Sequence, residues 1–463
     1  MSSISFESGS FRDREGRVFY DGTRVCRALS RRAAEEWRAV SGKPFFERLL
    51  AEKKIIGTSE SDVAAPPQGE WAAVLEHERV PFISYPYEWT FSMLKDAALL
   101  HLEILLAAIE DGCILKDATP YNIQWFGSRP VFIDVSSFEI LQPGEPWIGY
   151  RQFCEMFLYP LLLQCYRDVP FQAWLRGSID GISAENCSRL MSGTDYLRAG
   201  VLKDVVLHAK LQNRYADSAG DVKGGLQDAG FSAELIRHNL KRLHKIVSGL
   251  EWRRTSSTWA DYASSHSYSG PDQGAKEEFV RSFARARHRE TVWDLGCNTG
   301  SYSRIAAETA DYVLAIDADA LAVDLLYRQL RSEKQEGLLP LTMNLTDPSP
   351  GLGWRGAERQ TIIERSKPDL VLALALIHHL VIGANVPLPE VVSWLASLDS
   401  DLVIEFVSRE DAMVRKLLKN KRDNYDDYSK EELEKSLTTH FKIENSITLE
   451  SGTRTIYACR RSV

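Results

Sequence analysis

The chain has 463 residues, of which 44% are hydrophobic and 26% are charged, and its net charge at pH 7 is -8. This length predicts two or three domains, and the composition is typical of a soluble globular protein. The negative net charge and the absence of long runs of Lys or Arg give no reason to expect nucleic acid as a partner.

The sequence argues against both a membrane span and a disulfide framework. Its longest uncharged apolar run, residues 370–389, contains two histidines and two prolines, so we expect a buried strand that continues into a loop. The seven cysteines form no CxxC pair, which favours a reducing compartment and free thiols. We therefore expect a cytoplasmic protein without a membrane span, whose oligomeric state the sequence does not indicate.

The N-terminal half predicts a mixture of strands and helices. A hairpin is expected first, and a strand-like segment then leads into a long apolar helix. Two short strands and a helical region follow. In chain order these elements are residues 17–27, 81–87, 91–109, 123–125, 131–133 and 147–215.

Polar residues at a distinctive spacing interrupt this half. Asp117 and Asn122 are separated by four residues, and Asp134 follows a short hairpin and an apolar strand. This pattern resembles the catalytic core of protein-kinase-like and aminoglycoside-phosphotransferase-like folds. The resemblance implies an α+β domain with ATP and magnesium as ligands, in which Asp117 contacts the attacking hydroxyl while Asn122 and Asp134 hold the metal.

Several departures weaken this resemblance. Lys116 stands where a histidine-containing pair is usual, and Val135 replaces the glycine that normally follows the metal-binding Asp. There is no glycine-rich phosphate loop, and Arg24, Arg27 and Glu35 are only the nearest candidates for the usual Lys–Glu pair. Two alternatives therefore stay open: a turn whose side chains cap backbone groups, or a divergent domain without phosphotransfer.

From residue 290 onwards, short apolar strands alternate with helical segments. This alternation predicts a mostly parallel sheet with helices on both faces, an α/β Rossmann-like fold. We divide the chain into a kinase-like domain at 1–215, a helical linker with a cofactor lid at 216–270, and an α/β domain at 271–463.

A glycine-bearing turn after the first of these strands is the strongest local signal. The run DLGCNTG carries Asp294, Gly296, Asn298 and Gly300 between a strand and a helix. Glycines at these positions allow a tight turn and a close approach of a ligand to the backbone. The spacing lacks the full GxGxxG of a pyrophosphate cradle, and Asp294 is placed to take up a positive ammonium group.

The following strands end in further polar residues. The second ends at Asp317, with Asp319 close behind, and a carboxylate there can accept two ribose hydroxyls. The third ends near Asn344, whose side chain can meet an adenine edge. Two histidines, His378 and His379, follow the fourth strand, and Glu405 lies at the end of the fifth.

This series of motifs resembles the class I, Rossmann-like methyltransferases that use S-adenosylmethionine, including those that act on nodulation-type or surface polysaccharides. The resemblance covers residues 270–463 and implies that cofactor. Tyr262 and Tyr268 lie in an aromatic segment before the first strand, where such enzymes often place a lid. The alternative for each tyrosine is packing against the sheet.

Methyl transfer often needs a base that removes a proton from the acceptor. We favour His379 for this role and place His378 against the cofactor, although either can instead pack or cap the next helix. Glu405 is a further candidate for substrate contact. The expected function is methylation of an oxygen or nitrogen of a small molecule or glycan. The alternatives are a bifunctional kinase–methyltransferase and a non-catalytic cofactor-binding scaffold.

Overall fold

A computed structural model describes residues 4–210, 232–254, 256, 270–419, 421 and 424–461. The contacts divide the chain into two units. The first consists of Met1–Trp125, Pro130–Arg254 and Gly351–Gln360, and the second of Phe126–Arg129, Thr255–Pro350 and Thr361–Val463. The helix Ala233–Ser248, which the sequence placed in the linker, packs within the first unit.

The first unit begins with a five-stranded antiparallel sheet. Its order is β1-β2-β3-β5-β4, and β2 and β3 form the predicted hairpin, with Gly22 at a φ of +62° in the turn. Phe19, Cys26 and Ala28 face the core of this sheet. The strands are β1 (Ser5–Phe6), β2 (Gly16–Asp21), β3 (Arg24–Leu29), β4 (Thr58–Glu60) and β5 (Ala73–His77).

A helix, Arg31–Ser41, lies between β3 and β4 in the chain. Its first turn is capped by Ser30, whose hydroxyl accepts a hydrogen bond from the Ala33 N–H at 3.2 Å. The residues it buries recur at helical spacing, since Ala33, Ala34, Trp37 and Val40 all lie on one face. A shorter helix, Pro44–Ala51, follows it.

The predicted strand at 81–87 is wrong. The backbone there is irregular and ends in the 3₁₀ turn Pro86–Glu88. Pro81 and Pro86 have no N–H to donate to a neighbouring strand. The Gln124 side chain instead bonds both ways to Ser84, with Ser84 N donating to Gln124 Oε1 at 2.9 Å and Gln124 Nε2 donating to Ser84 O at 3.0 Å.

The predicted apolar helix is confirmed as Phe91–Glu110, with Thr90 as its cap. Short antiparallel strand pairs follow, in which β6 pairs with β9 and β7 with β8. Their bounds are β6 (Cys113–Leu115), β7 (Ile123–Phe126), β8 (Arg129–Phe132) and β9 (Phe138–Ile140). The predicted helical region contains the helices Tyr150–Phe153, Tyr159–Arg167, Gln172–Gly177 and Ala184–Leu190 and the π-helical segments Cys154–Leu158 and Val201–Leu207.

The second unit contains a seven-stranded sheet in the order β12-β11-β10-β13-β14-β16-β15. Five neighbouring strands are parallel, and β16 and β15 are antiparallel. The strands are β10 (Arg289–Leu295), β11 (Ala310–Asp317), β12 (Leu338–Thr342), β13 (Leu370–Ala373), β14 (Asp401–Val407), β15 (Phe441–Thr448) and β16 (Arg454–Arg461). The predicted α/β sheet is confirmed, and the antiparallel pair is an addition that its sequence pattern did not reveal.

The strand order reverses at β10. The chain builds outwards to β11 and β12 on one side of it and then returns to place β13 and β14 on the other. Because parallel crossovers are right-handed, this reversal puts the connecting helices on opposite faces and opens a crevice at the carboxyl ends of β10 and β13. The helices of this unit are Gly270–Arg285, Ser301–Ala306, Ala320–Glu333, Ile362–Arg365, Leu388–Ser397, Ala412–Leu418 and Lys430–His440.

Within the part of the chain that the structure describes, no helix is long and apolar enough to cross a membrane. The seven cysteines are all free thiols, and six of them are buried.

Candidate functional site

The second unit has a cavity of about 500 Å³ at the crevice where its strand order reverses. Side chains from the carboxyl ends of β10, β11, β12 and β13 line it, as expected for ligand sites of open α/β sheets. The predicted residues that it brings together are Gly296, Asn298, Asp317, Asn344, His378 and His379.

The turn after β10 forms one wall of the cavity. Gly296 N and Cys297 N both donate to Ile316 O, at 2.8 and 3.1 Å, which ties the turn to the end of β11. Gly296, Asn298 and Gly300 all have positive φ, at 78°, 49° and 82°. The backbone can therefore fold back tightly before the helix Ser301–Ala306 begins.

Gly300 is the position in this turn where a side chain fits least. A Cβ there would lie 2.6 Å from Leu326 Cδ1, in addition to the strain of its left-handed backbone. We expect Gly300→Ala to lower the free energy of unfolding of this unit by about 2 to 4 kcal/mol. Gly274→Ala is the control, because Gly274 lies in a helix with open space around it and should gain up to about 1 kcal/mol. Hydrogen exchange of the amides in β10 at increasing denaturant measures both effects on this unit alone, and equal effects would contradict the prediction.

The Asp317 carboxylate is held in place from two sides. Asn298 N donates to its Oδ2 and Asp319 N to its Oδ1, each at 2.8 Å. Burial raises the pKa of Asp317, and these two N–H donors oppose the rise. The side chain of Asp319 has a different role, since its Oδ1 caps the helix Ala320–Glu333 by accepting from Leu321 N and Ala322 N.

Asp294 lies beneath the turn and does not line the cavity. Its Oδ2 accepts a hydrogen bond from the Ser303 hydroxyl at 2.5 Å. Burial raises the pKa of Asp294 to about 6, with the Ser303 hydrogen bond acting in the opposite direction. Gly300 also lies behind the cavity surface, so both residues support the turn.

Asn344 follows β12 and also lines the cavity. Its Oδ1 accepts from Thr346 N at 3.1 Å and from the Thr346 hydroxyl at 2.9 Å. This local turn fixes the side chain, which is exposed and lines the cavity.

The two histidines lie side by side on the wall that follows β13, with ring centroids 4.0 Å apart. Burial is the main reason that the pKa of His378 is well below its usual value, and it lowers the pKa of His379 to about 4. Both rings are therefore uncharged at neutral pH. His378 Nδ1 is buried and has no hydrogen-bond partner among the described residues.

Glu405 has a different place from the one expected. It is fully buried in β14, does not line the cavity, and lies between two cations. Its Oε2 accepts from Lys276 Nζ at 2.5 Å, and its Oε1 accepts from Arg454 Nη1 at 3.2 Å. Oε2 also accepts from the N–H of Ala375, a cavity residue held at a φ of +49°.

Lys276 was missed by the sequence analysis, although it lines the cavity. Burial lowers the pKa of Lys276, and Glu405 opposes the shift. A signal was available, because Asp272, Lys276, Val280 and Ala284 recur every four residues on the buried face of one helix. Arg454 carried no such signal, since it begins a strand whose next residues are also buried.

These residues fit the expected cofactor. The cavity offers a backbone turn that a ligand can approach, an oriented carboxylate at Asp317 and an anchored amide at Asn344. The proposed lid residues Tyr262 and Tyr268 lie outside the described residues.

The first unit brings the three predicted phosphotransfer residues into one region, but they do not fit magnesium. Asp134 Oδ1 accepts from Arg27 Nη1 at 2.8 Å and from the Ser136 hydroxyl at 2.7 Å. An arginine thus occupies the place of a cation at this carboxylate. Asn122 Nδ2 is buried and has no hydrogen-bond partner in the described part of the chain, and burial together with Asp134 raises the pKa of Asp117. No group of three potential metal ligands occurs among the described residues.

The residues suggested for the usual Lys–Glu ion pair do not form it in the structure. Arg24 pairs with Asp21, Glu35 is exposed, and the ion pair that reaches Lys116 comes from Glu36, with Lys116 Nζ 3.3 Å from Glu36 Oε2. Glu35 and Glu36 are neighbours on one helix, so the sequence alone could not show which of them faces Lys116.

The sheet order, the glycine turn and the cavity at the reversal confirm the predicted Rossmann-like fold of the second unit. Solved structures similar to this chain include the N-methyltransferase NodS from Bradyrhizobium japonicum WM9, 13% identical over 42% of this chain and 98% of that one, with a TM-score of 0.31. Another is magnesium protoporphyrin IX methyltransferase from Synechocystis PCC 6803, 17% identical over 41% and 84%, with a TM-score of 0.29.

Sequence comparison extends over the whole chain. No family model matches it. The nodulation protein NoeA of Rhizobium meliloti (strain 1021) is 35% identical over 460 residues, which cover 98% of this chain and 96% of the relative. The chain therefore belongs to the family of the nodulation protein NoeA.

Proposed function

We propose that the second unit transfers a methyl group from S-adenosylmethionine to an oxygen or nitrogen atom of a small molecule or glycan. The observation that carries this proposal is that one cavity is lined by the glycine turn, Asp317 and the histidine pair. When bound there, the cofactor supplies a methyl group on a positively charged sulfur.

Asp317 is the residue that we assign to the ribose. Each of its carboxylate oxygens already accepts one backbone N–H, so the carboxylate is oriented before a ligand arrives. Each oxygen keeps a further lone pair, and the two together match a pair of neighbouring hydroxyls. Asn344, which lines the same cavity, would then meet the adenine edge.

The uncharged histidines suit the reacting end of the cavity. A protonated imidazole would repel a positively charged sulfur, whereas burial keeps both rings neutral. An imidazole nitrogen at this end would accept the proton that the acceptor oxygen or nitrogen loses on methylation. We assign this proton to His379, the less buried of the two rings.

His379→Phe should lower kcat by about 10²- to 10⁴-fold, the usual contribution of a general base, with cofactor affinity changed less than about 3-fold. The assay is transfer of labelled methyl from S-adenosylmethionine to short oligosaccharides with free hydroxyl or amino groups. Because the pKa of His379 is about 4, protonation of this ring should not lower kcat between pH 8 and pH 6. A larger loss in His378→Phe than in His379→Phe would reverse the assignment.

The acceptor class draws further support from the family, since its relative NoeA is named as a nodulation protein. An acceptor among nodulation-type oligosaccharides is consistent with that name. If no oligosaccharide is methylated while the cofactor binds tightly, a non-catalytic scaffold becomes the better description.

For the first unit we propose a divergent kinase-like accessory domain. The antiparallel sheet with a helix between β3 and β4 supports this fold, as do the loop of Asp117 and Asn122 and the hairpin that leads to Asp134. The Arg27–Asp134 ion pair argues against magnesium-dependent phosphotransfer and so against the bifunctional alternative.

A further inference from the structure

Residues Gly351–Gln360 belong to the first unit by their contacts, although they follow β12 in the sequence. Their strongest contact is with the turn between β1 and β2. Glu358 accepts two hydrogen bonds from the Arg12 guanidinium, one of them from Nη2 to Oε2 at 2.9 Å, and is itself only 2% exposed. The arginine lowers the pKa of Glu358, so this ion pair stays formed at neutral pH.

Gly9, in the same β1–β2 turn, lies directly against residues Glu358 and Arg359 of this segment. A Cβ at Gly9 would be 2.8 Å from Arg359 Nη1 and 3.0 Å from Glu358 O. A side chain at Gly9 would therefore press against the backbone carbonyl of Glu358.

The end of the segment contacts two other parts of the first unit. Gln360 N donates to the Tyr85 hydroxyl at 2.8 Å. The Arg359 guanidinium lies over the Tyr121 ring, with its central carbon 4.2 Å from the ring centroid. Tyr121 directly precedes Asn122, and its pKa is raised to about 12 by burial.

These three contacts have a common meaning in the proposed kinase-like fold, on which this inference rests. In that fold the β1–β2 turn covers the phosphates of a nucleotide, the segment at Tyr85 connects the two lobes, and the loop with Asp117 and Asn122 faces the transferred group. We propose that residues Gly351–Gln360 are an intramolecular peptide ligand that fills this cleft and excludes nucleotides.

Arg27 supports the proposal independently. Its guanidinium bonds to Asp134 and Ser136, where a metal ion would accompany a nucleotide, and it lies 3.8 Å from Asp13. In this proposal Arg27 takes the place of the metal ion, and residues Gly351–Gln360 take the place of the nucleotide.

The experiment uses the full chain, with ATP as the probe. Calorimetry with ATP, with and without magnesium chloride, should show no binding. Hydrogen exchange should rise by about 2- to 30-fold at Ser8–Arg12 and Pro120–Asn122 in Arg359→Ala, because a cation–π contact is worth about 0.5 to 2 kcal/mol. Trp354→Ala is the matched control in the same segment, since Trp354 is 63% exposed, and it should leave exchange unchanged.

Magnesium-dependent ATP binding to the wild-type chain that disappears in Asp134→Asn would overturn the proposal, because it requires an open cleft. Unchanged exchange at both contact sites in Arg359→Ala would overturn it as well. Binding of S-adenosylhomocysteine is measured on the same samples. Its absence would refute the proposed methyltransferase function without bearing on the cleft.

Discussion

Glu405→Ala is expected to lower the free energy of unfolding of the second unit by about 3 to 5 kcal/mol. Glu405 is fully buried between Lys276 and Arg454, whose side chains are each 2% exposed. Removing the carboxylate leaves two cations buried with less compensation and also removes the acceptor for Ala375 N. Arg454 keeps a second partner in Asp411, at 2.9 Å, so the main cost should come from Lys276.

The measurement is hydrogen exchange of the amides in β14 at increasing denaturant, which reports on this unit alone in a chain of two units. Glu444→Ala is the control. Glu444 pairs with Arg460 at the surface, where it is 38% exposed, and its loss should cost less than about 1 kcal/mol. A similar small loss in both variants would mean that the buried network does not stabilise the unit.

Asp317→Ala should weaken binding of S-adenosylhomocysteine by about 100-fold. Hydrogen bonds to a charged group contribute about 1.5 to 3 kcal/mol, and about 2.7 kcal/mol corresponds to this factor. The carboxylate lines the cavity and is held by Asn298 N and Asp319 N, so it does not need to reorganise on binding.

Asp319→Ala provides the comparison for this experiment. Asp319 caps the helix Ala320–Glu333 and lies outside the cavity lining. Its loss should therefore lower stability by about 1 kcal/mol with little effect on affinity. Calorimetry at one temperature where both variants are folded separates the two effects. Equal affinity of Asp317→Ala and the wild type would show that the ribose lies elsewhere.

Local patterns in the sequence were sufficient to predict much of the fold and the candidate site of the second unit. The turn from Gly296 to Gly300 could be predicted because positive φ angles favour glycine, and both residues have them. Asp317 could be predicted because a carboxylate at the end of a buried strand must lie at the edge of a parallel sheet. The prediction of a strand at 81–87 was wrong because the hydrogen-bond partner of Ser84 is a side chain, that of Gln124, which lies 40 residues later in the sequence.

The sequence by itself determined the α/β sheet, its glycine turn and the polar residues at its carboxyl edge, since each depends on a few neighbouring residues. The tertiary structure decided which charges meet. It paired Lys276 and Arg454 with Glu405, and Arg27 with Asp134. It also placed residues Gly351–Gln360 within the first unit. The partners of a buried charge depend on the whole fold, because burial makes an unpaired charge costly and the compensating group can come from anywhere in the chain.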